Sequence, residues 1–61
     1  MAAKATGKQL DYLYSLQRKL ASGTAEQRAL EETIRKARNK VRGLDTGDAS
    51  DWIDRAKKAL A

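Results

Sequence analysis

No proline interrupts this chain, and its four glycines stand at positions 7, 23, 43 and 47. Around and between them run three segments whose apolar residues recur at three- and four-residue steps, the period of a helix lying on a core. No segment alternates apolar and polar residues over strand length. The pattern predicts an all-α fold, a small three-helix bundle in which loops of a few residues make neighbouring helices antiparallel.

The segment ends carry helix-start chemistry. Thr6-Gly7-Lys8-Gln9 has capping-box spacing: the Thr hydroxyl accepts from the third helical amide while the Gln side chain reaches back to the cap. A first helix is expected over about 7–21, with Leu10, Leu13, Leu16 or Gln17, and Leu20 on its apolar stripe and Tyr12 and Tyr14 beside it. Ser22-Gly23 ends it, and Thr24-Ala25-Glu26-Gln27 repeats the starting device. The second helix is expected over 25–42 along Leu30, Ile34, Ala37 and Val41, with Gly43 as its left-handed stop. That would make the middle helix the longest. Thr46 is the expected N-cap of a third helix over 47–60, carrying Ala49, Ile53, Ala56 and Leu60 with Trp52 alongside. Its Asp residues come first and its Lys and Arg last, which complements the helix dipole.

All 61 residues then form a single helical domain, 1–61. Its expected core is Leu10, Leu13, Leu20, Leu30, Ile34, Ala37, Val41, Leu44, Trp52, Ile53, Ala56 and Leu60. A domain of about 60 residues buries only about 60% of its unfolded surface. Several of these residues are Ala, so the core is thin, and a homodimer covering the remaining apolar surface is one way to complete it.

Missing residue types narrow the chemistry. Without Cys there is no disulfide and no thiolate; without His there is no histidine base and no imidazole ligand. Asp45, Asp48, Asp51 and Asp54 step by three, but they lack the ligand spacing of a calcium loop, and dipole stabilisation explains them better. No catalytic, cofactor or metal set emerges, so the chain does not read as an enzyme. No apolar run approaches the roughly 18 residues of a membrane span, and no apolar stretch follows the basic N-terminus as in a signal peptide. A soluble, intracellular protein is expected, and the lack of Cys fits a reducing cytoplasm.

Thirteen Lys and Arg against eight Asp and Glu give a net charge of +5. The excess is local: five of the eight positions in Arg35-Lys36-Ala37-Arg38-Asn39-Lys40-Val41-Arg42 are cationic, and no acid occurs between Glu32 and Asp45. On a continuous helix Arg28, Arg35 and Arg42 form one stripe, Arg38 borders it, and Lys36 and Lys40 lie on the opposite flank. Glu31→Arg35 and Glu32→Lys36 are favourable i,i+4 pairs, so those two cations have a purely structural explanation. Arg38, Lys40 and Arg42 have no acid four residues earlier. Guanidiniums at helical spacing suit a phosphate backbone, because each fork can bond phosphate bidentately and each neutralised phosphate releases counterions. The three aromatics, Tyr12, Tyr14 and Trp52, fall outside the basic run. Half-buried tyrosines and a core tryptophan are expected, rather than the stacking platforms of a single-strand binder.

Two segments resemble the ends of a small helical module found in uncharacterised bacterial and bacteriophage proteins. Ala5-Thr6-Gly7-Lys8-Gln9-Leu10-Asp11-Tyr12-Leu13-Tyr14-Ser15-Leu16 matches the module's A-T-x-K-Q-x-x-Y-[IL]-x-x-L start. Leu44-Asp45-Thr46-Gly47-Asp48-Ala49-Ser50-Asp51-Trp52-Ile53-Asp54-Arg55-Ala56 is similar to its L-T-x-x-E-A-S-x-x-I-D-x-L end, with the Thr out of register, Asp48 for Glu, and Ala56 for Leu. The middle segment, with the whole basic run, lies outside the resemblance. The resemblance implies the cytoplasm of a bacterial host and an association with DNA-processing proteins, which favours DNA over RNA. It implies no activity.

The expected function is a small basic accessory module that binds the nucleic-acid backbone non-specifically through Arg28, Arg35, Lys36, Arg38, Lys40 and Arg42. The alternative is a phage-type protein-interaction module or modulator that docks its basic or apolar face on an acidic host protein.

Overall fold

A computed structural model describes residues 3–40 and 43–61. The chain forms three helices, α1 (Gly7–Ala21), α2 (Ala25–Arg38) and α3 (Thr46–Leu60), each in contact with the other two. The expected all-α three-helix bundle is therefore the fold. α1 is central: it packs most extensively on α3 and next on α2, while α2 and α3 touch least.

Each helix begins with a complete capping box. Thr6 and Thr24 accept from the amides of Gln9 and Gln27, whose side chains return the bond. α3 starts one residue earlier than expected: its N-cap is Asp45, not Thr46. Asp45 Oδ1 accepts from the Asp48 amide at 2.7 Å, and Asp48 accepts from the Asp45 amide. The reason is reciprocity. Asp48 stands three residues after Asp45 and can return the bond, whereas Ala49, three after Thr46, cannot.

The middle helix is not the longest. α2 has 14 residues against 15 for each of its neighbours, because it ends at Arg38 rather than Arg42. Asn39 caps it through a bond from its amide to the Arg35 carbonyl. Continuing the helix would set Lys36 against Lys40 and Arg38 against Arg42, like charges at i,i+4, and of these four only Lys36 has an acid four residues earlier. Gly43, at φ +67°, then turns the chain so that Leu44 returns to the core. Val41 and Arg42 lie outside the described residues, so Val41's expected core position and Arg42's place on the stripe do too.

The core is built on Leu13, Leu16, Leu20, Ile34, Leu44 and Ala56, with Leu30, Ala37, Trp52, Ile53 and Leu60 partly buried against it. Leu13, Leu20 and Ile34 are fully buried, so truncating any of them to Ala costs about 2–5 kcal/mol. Three residues outside the expected core, Leu16, Gln17 and Ala49, are buried as well. Leu10 is only half-buried, and Trp52 sits at the rim, with the Arg55 guanidinium 5.0 Å from its ring centre.

A short strap completes the bundle. The Ala5 amide donates to the Leu44 carbonyl at 3.0 Å, and the Thr46 amide donates to the Ala3 carbonyl at 2.9 Å. Lys4 and Asp45 thereby form an isolated antiparallel bridge.

Candidate nucleic-acid interface

The loop Ser22–Thr24 folds α2 back along α1, so the C-terminal half of α2 lies beside the middle of α1. Helical spacing decides which side chains face the seam. On α1 they are Tyr14, Gln17, Arg18 and Ala21, an i, i+3, i+4, i+7 row; on α2 they are Glu31, Arg35 and Arg38. These residues and Asn39 line an open groove of about 480 Å³. Three guanidiniums and one carboxylate share it.

The floor of the groove is fixed by Gln17, which is 7% exposed. Its Nε2 donates to Glu31 Oε2 at 3.2 Å, and its Oε1 accepts from Arg38 Nη1. One neutral amide thus joins an anion to a cation across the α1–α2 seam. Arg38 also lies over the Tyr14 ring, 5.7 Å from its centre. The bonds and the ring hold the guanidinium in place at the groove's edge.

Arg35 Nη2 lies 3.7 Å from Glu31 Oε1, and Lys36 Nζ lies 3.8 Å from Glu32 Oε1. Both expected i,i+4 pairs form. Their cations stay 60% and 76% exposed, so each pair contributes only a few tenths of a kcal/mol. Glu31 is thus engaged by both Gln17 and Arg35, and its charge is largely offset within the groove.

The described cations of the expected set, Arg28, Arg35, Lys36, Arg38 and Lys40, lie on more than one face. Arg28 is exposed, seven residues before Arg35 on the same flank. Arg35 and Arg38 line the groove. Lys36, one residue on from Arg35, lies about 100° round the helix on the opposite flank, as expected. Lys40 is exposed but lies past the end of α2, so the helical count does not place it. It lines a second groove of about 360 Å³, with Lys4, Ala5, Leu10, Arg38, Gly43 and Leu44. Arg38 borders both grooves.

The structure adds Arg18 and Tyr14 to the basic surface. Neither belongs to the basic run, and Tyr14 follows an acid, Asp11, in the sequence. Only the pairing of α1 with α2 brings them beside Arg35 and Arg38. A signal was present in the Tyr14–Arg18 i,i+4 spacing, but nothing local says which neighbour that face meets.

An exposed apolar patch formed by Leu16, Tyr12 and Tyr14 would have favoured a protein partner. Leu16 is buried, at 5%, while Tyr12 and Tyr14 are 47% and 56% exposed. Two residues apart on a helix, the tyrosines point about 200° from each other and make no common patch. Among the described residues no group of three acids converges as for a metal ion, and no helix is long and apolar enough to cross a membrane.

Comparison of the chain with family models, curated proteins and solved structures finds no match.

Proposed function

We propose that this chain is a basic accessory module that binds the phosphate backbone of nucleic acid, DNA before RNA, largely without sequence preference. The groove between α1 and α2 carries the reading. Arg18, Arg35 and Arg38 converge there, and the one acid among them, Glu31, is already held by Gln17 and Arg35. Arg28 extends the same flank, and Lys4 and Lys40 continue the positive surface past Arg38. Guanidinium forks on a rigid helical frame suit phosphate oxygens, and their contribution is electrostatic and salt-sensitive. The setting is the cytoplasm of a bacterial cell, on the resemblance of the two chain ends.

The test is a salt titration of DNA binding for the native chain and for a variant with Arg28, Arg35 and Lys40 changed to Gln. All three are exposed, so the fold tolerates the change. The native chain is expected to bind with a steep salt dependence, and the slope is expected to fall by about one for each contacting cation removed. Unchanged affinity and slope would overturn the proposal. So would recovery of an acidic protein partner from nuclease-treated lysate in the absence of any DNA affinity.

A further inference from the structure

We infer that the α1–α2 groove takes single-stranded nucleic acid, with an unstacked base against Tyr14 and the flanking phosphates on Arg18 and Arg35. The inference rests on the nucleic-acid reading above and names the form of strand the groove fits.

In the sequence the aromatics and the basic run are apart, which argues against single-strand binding. In the fold Tyr14 is the aromatic of the basic groove. Arg38 lies over its ring at 5.7 Å, yet 56% of Tyr14 remains exposed. Gln17 fixes the Arg38 guanidinium through Oε1, so that cation is held over one face of the ring and the exposed remainder of Tyr14 is what a base can meet. Arg18 and Arg35 stand beside that ring on the two helices, and Asn39 adds an amide at the groove's end. Single-strand sites combine a cationic track for the backbone with an aromatic face for the bases, and the stacking is sequence-tolerant because every base has a π-face. A duplex hides its bases in the stack and offers Tyr14 nothing to receive.

The experiment measures fluorescence anisotropy of a labelled oligothymidylate and of a duplex of equal length, at two salt concentrations. Native chain, Tyr14→Phe and Tyr14→Ala are compared. Because Tyr14 is exposed, neither substitution empties the core, and helical circular dichroism confirms folding. Expected are tighter binding of the single strand than of the duplex, a loss of about 5–100-fold for Tyr14→Ala on the single strand, and near-native binding for Tyr14→Phe. Duplex affinity should fall less than single-strand affinity in Tyr14→Ala, the loss there being limited to the loosening of Arg38.

Equal binding of both forms, with no effect of Tyr14→Ala, would overturn this inference and leave backbone binding standing. Failure of the native chain to bind either form would overturn both. Equal displacement of the single strand by polyglutamate of matched charge would overturn it in favour of an acidic protein surface.

Discussion

The side-chain amide of Gln27 donates to the Ala59 carbonyl at 2.7 Å, while its Oε1 accepts from the Thr24 amide at 2.8 Å. One residue thus caps the start of α2 and ties down the end of α3. Gln9 does the same at the other end of the bundle. It accepts from the Thr6 amide at 3.1 Å and donates to the Thr46 carbonyl at 3.2 Å. α3 is held at both ends by the capping residues of its two neighbours. A capping box accepts Glu or Gln at this position, but only Gln can also donate to a carbonyl.

Gln27→Glu is therefore expected to keep the cap and lose the tether. It sets a carboxylate against the carbonyl end of α3, where the dipole is negative. The loss should be about 1–2 kcal/mol, seen as a Tm lower by roughly 5–15 °C in thermal unfolding.

Gly23→Ala acts on the same contact from the other side. A methyl group at Gly23 would overlap the Gln27 side-chain carbonyl, which is bonded in place and cannot yield without breaking the cap and the tether. The substitution should cost about 1–3 kcal/mol in the native chain. In a Gln27→Ala background most of the cost should disappear, because the overlapping Oε1 and Cδ are gone and only the Cβ of residue 27 stays close, at 3.3 Å. Urea unfolding of the four-member cycle reads that coupling.

Gln17→Leu should cost about 1–3 kcal/mol although Leu is the more apolar residue. It takes one of two partners from Glu31, leaving only Arg35 at 3.7 Å, and removes the Gln17 acceptor from Arg38 in a half-buried seam. In an Arg38→Met background the penalty should shrink, and equilibrium unfolding of the double mutant checks this.

Glu32→Gln separates stability from binding. The Glu32–Lys36 pair is exposed, so its loss should change stability by no more than ~0.5 kcal/mol. The net charge rises by one, which strengthens the long-range attraction for a polyanion. Affinity for DNA at low salt should increase, and anisotropy titration beside the native chain measures it.

Two glycines should respond in opposite directions to Ala. Gly43 has φ +67°, so a side chain there is strained by about 1 kcal/mol or more. Gly7 opens α1 with nothing within 4 Å of the point a methyl group would occupy, so Ala there should be neutral or stabilise by about 0.4–1 kcal/mol. Thermal denaturation of the two variants gives the comparison.

Much of this molecule could be read locally. The two T-x-x-Q boxes, the apolar seams and the i,i+4 pairs Glu31–Arg35 and Glu32–Lys36 each depend on residues close together on one helix. They form as the spacing predicts over the described residues, with Leu10 only half-buried. The start of α3 was also legible, since Asp45 and Asp48 have the reciprocal spacing that Thr46 and Ala49 lack. The end of α2 was harder. In the sequence Val41 continues the apolar pattern, but the cations around it share the i,i+4 spacing, and the helix stops at Arg38.

The sequence by itself determined three capped helices, their packing as antiparallel neighbours through short loops, and an excess of charge in the 35–42 region. The tertiary structure alone decided which of those charges share a surface. Arg18 and Tyr14 joined Arg35 and Arg38, while Lys36 stayed on the far flank, because each helix exposes several faces and only the docking of α1 against α2 selects one of them. Packing of the three helices likewise gave Gln17, Gln9 and Gln27 their second partners. Those partners stand 14 to 37 residues away along the chain, a distance at which no local spacing rule operates.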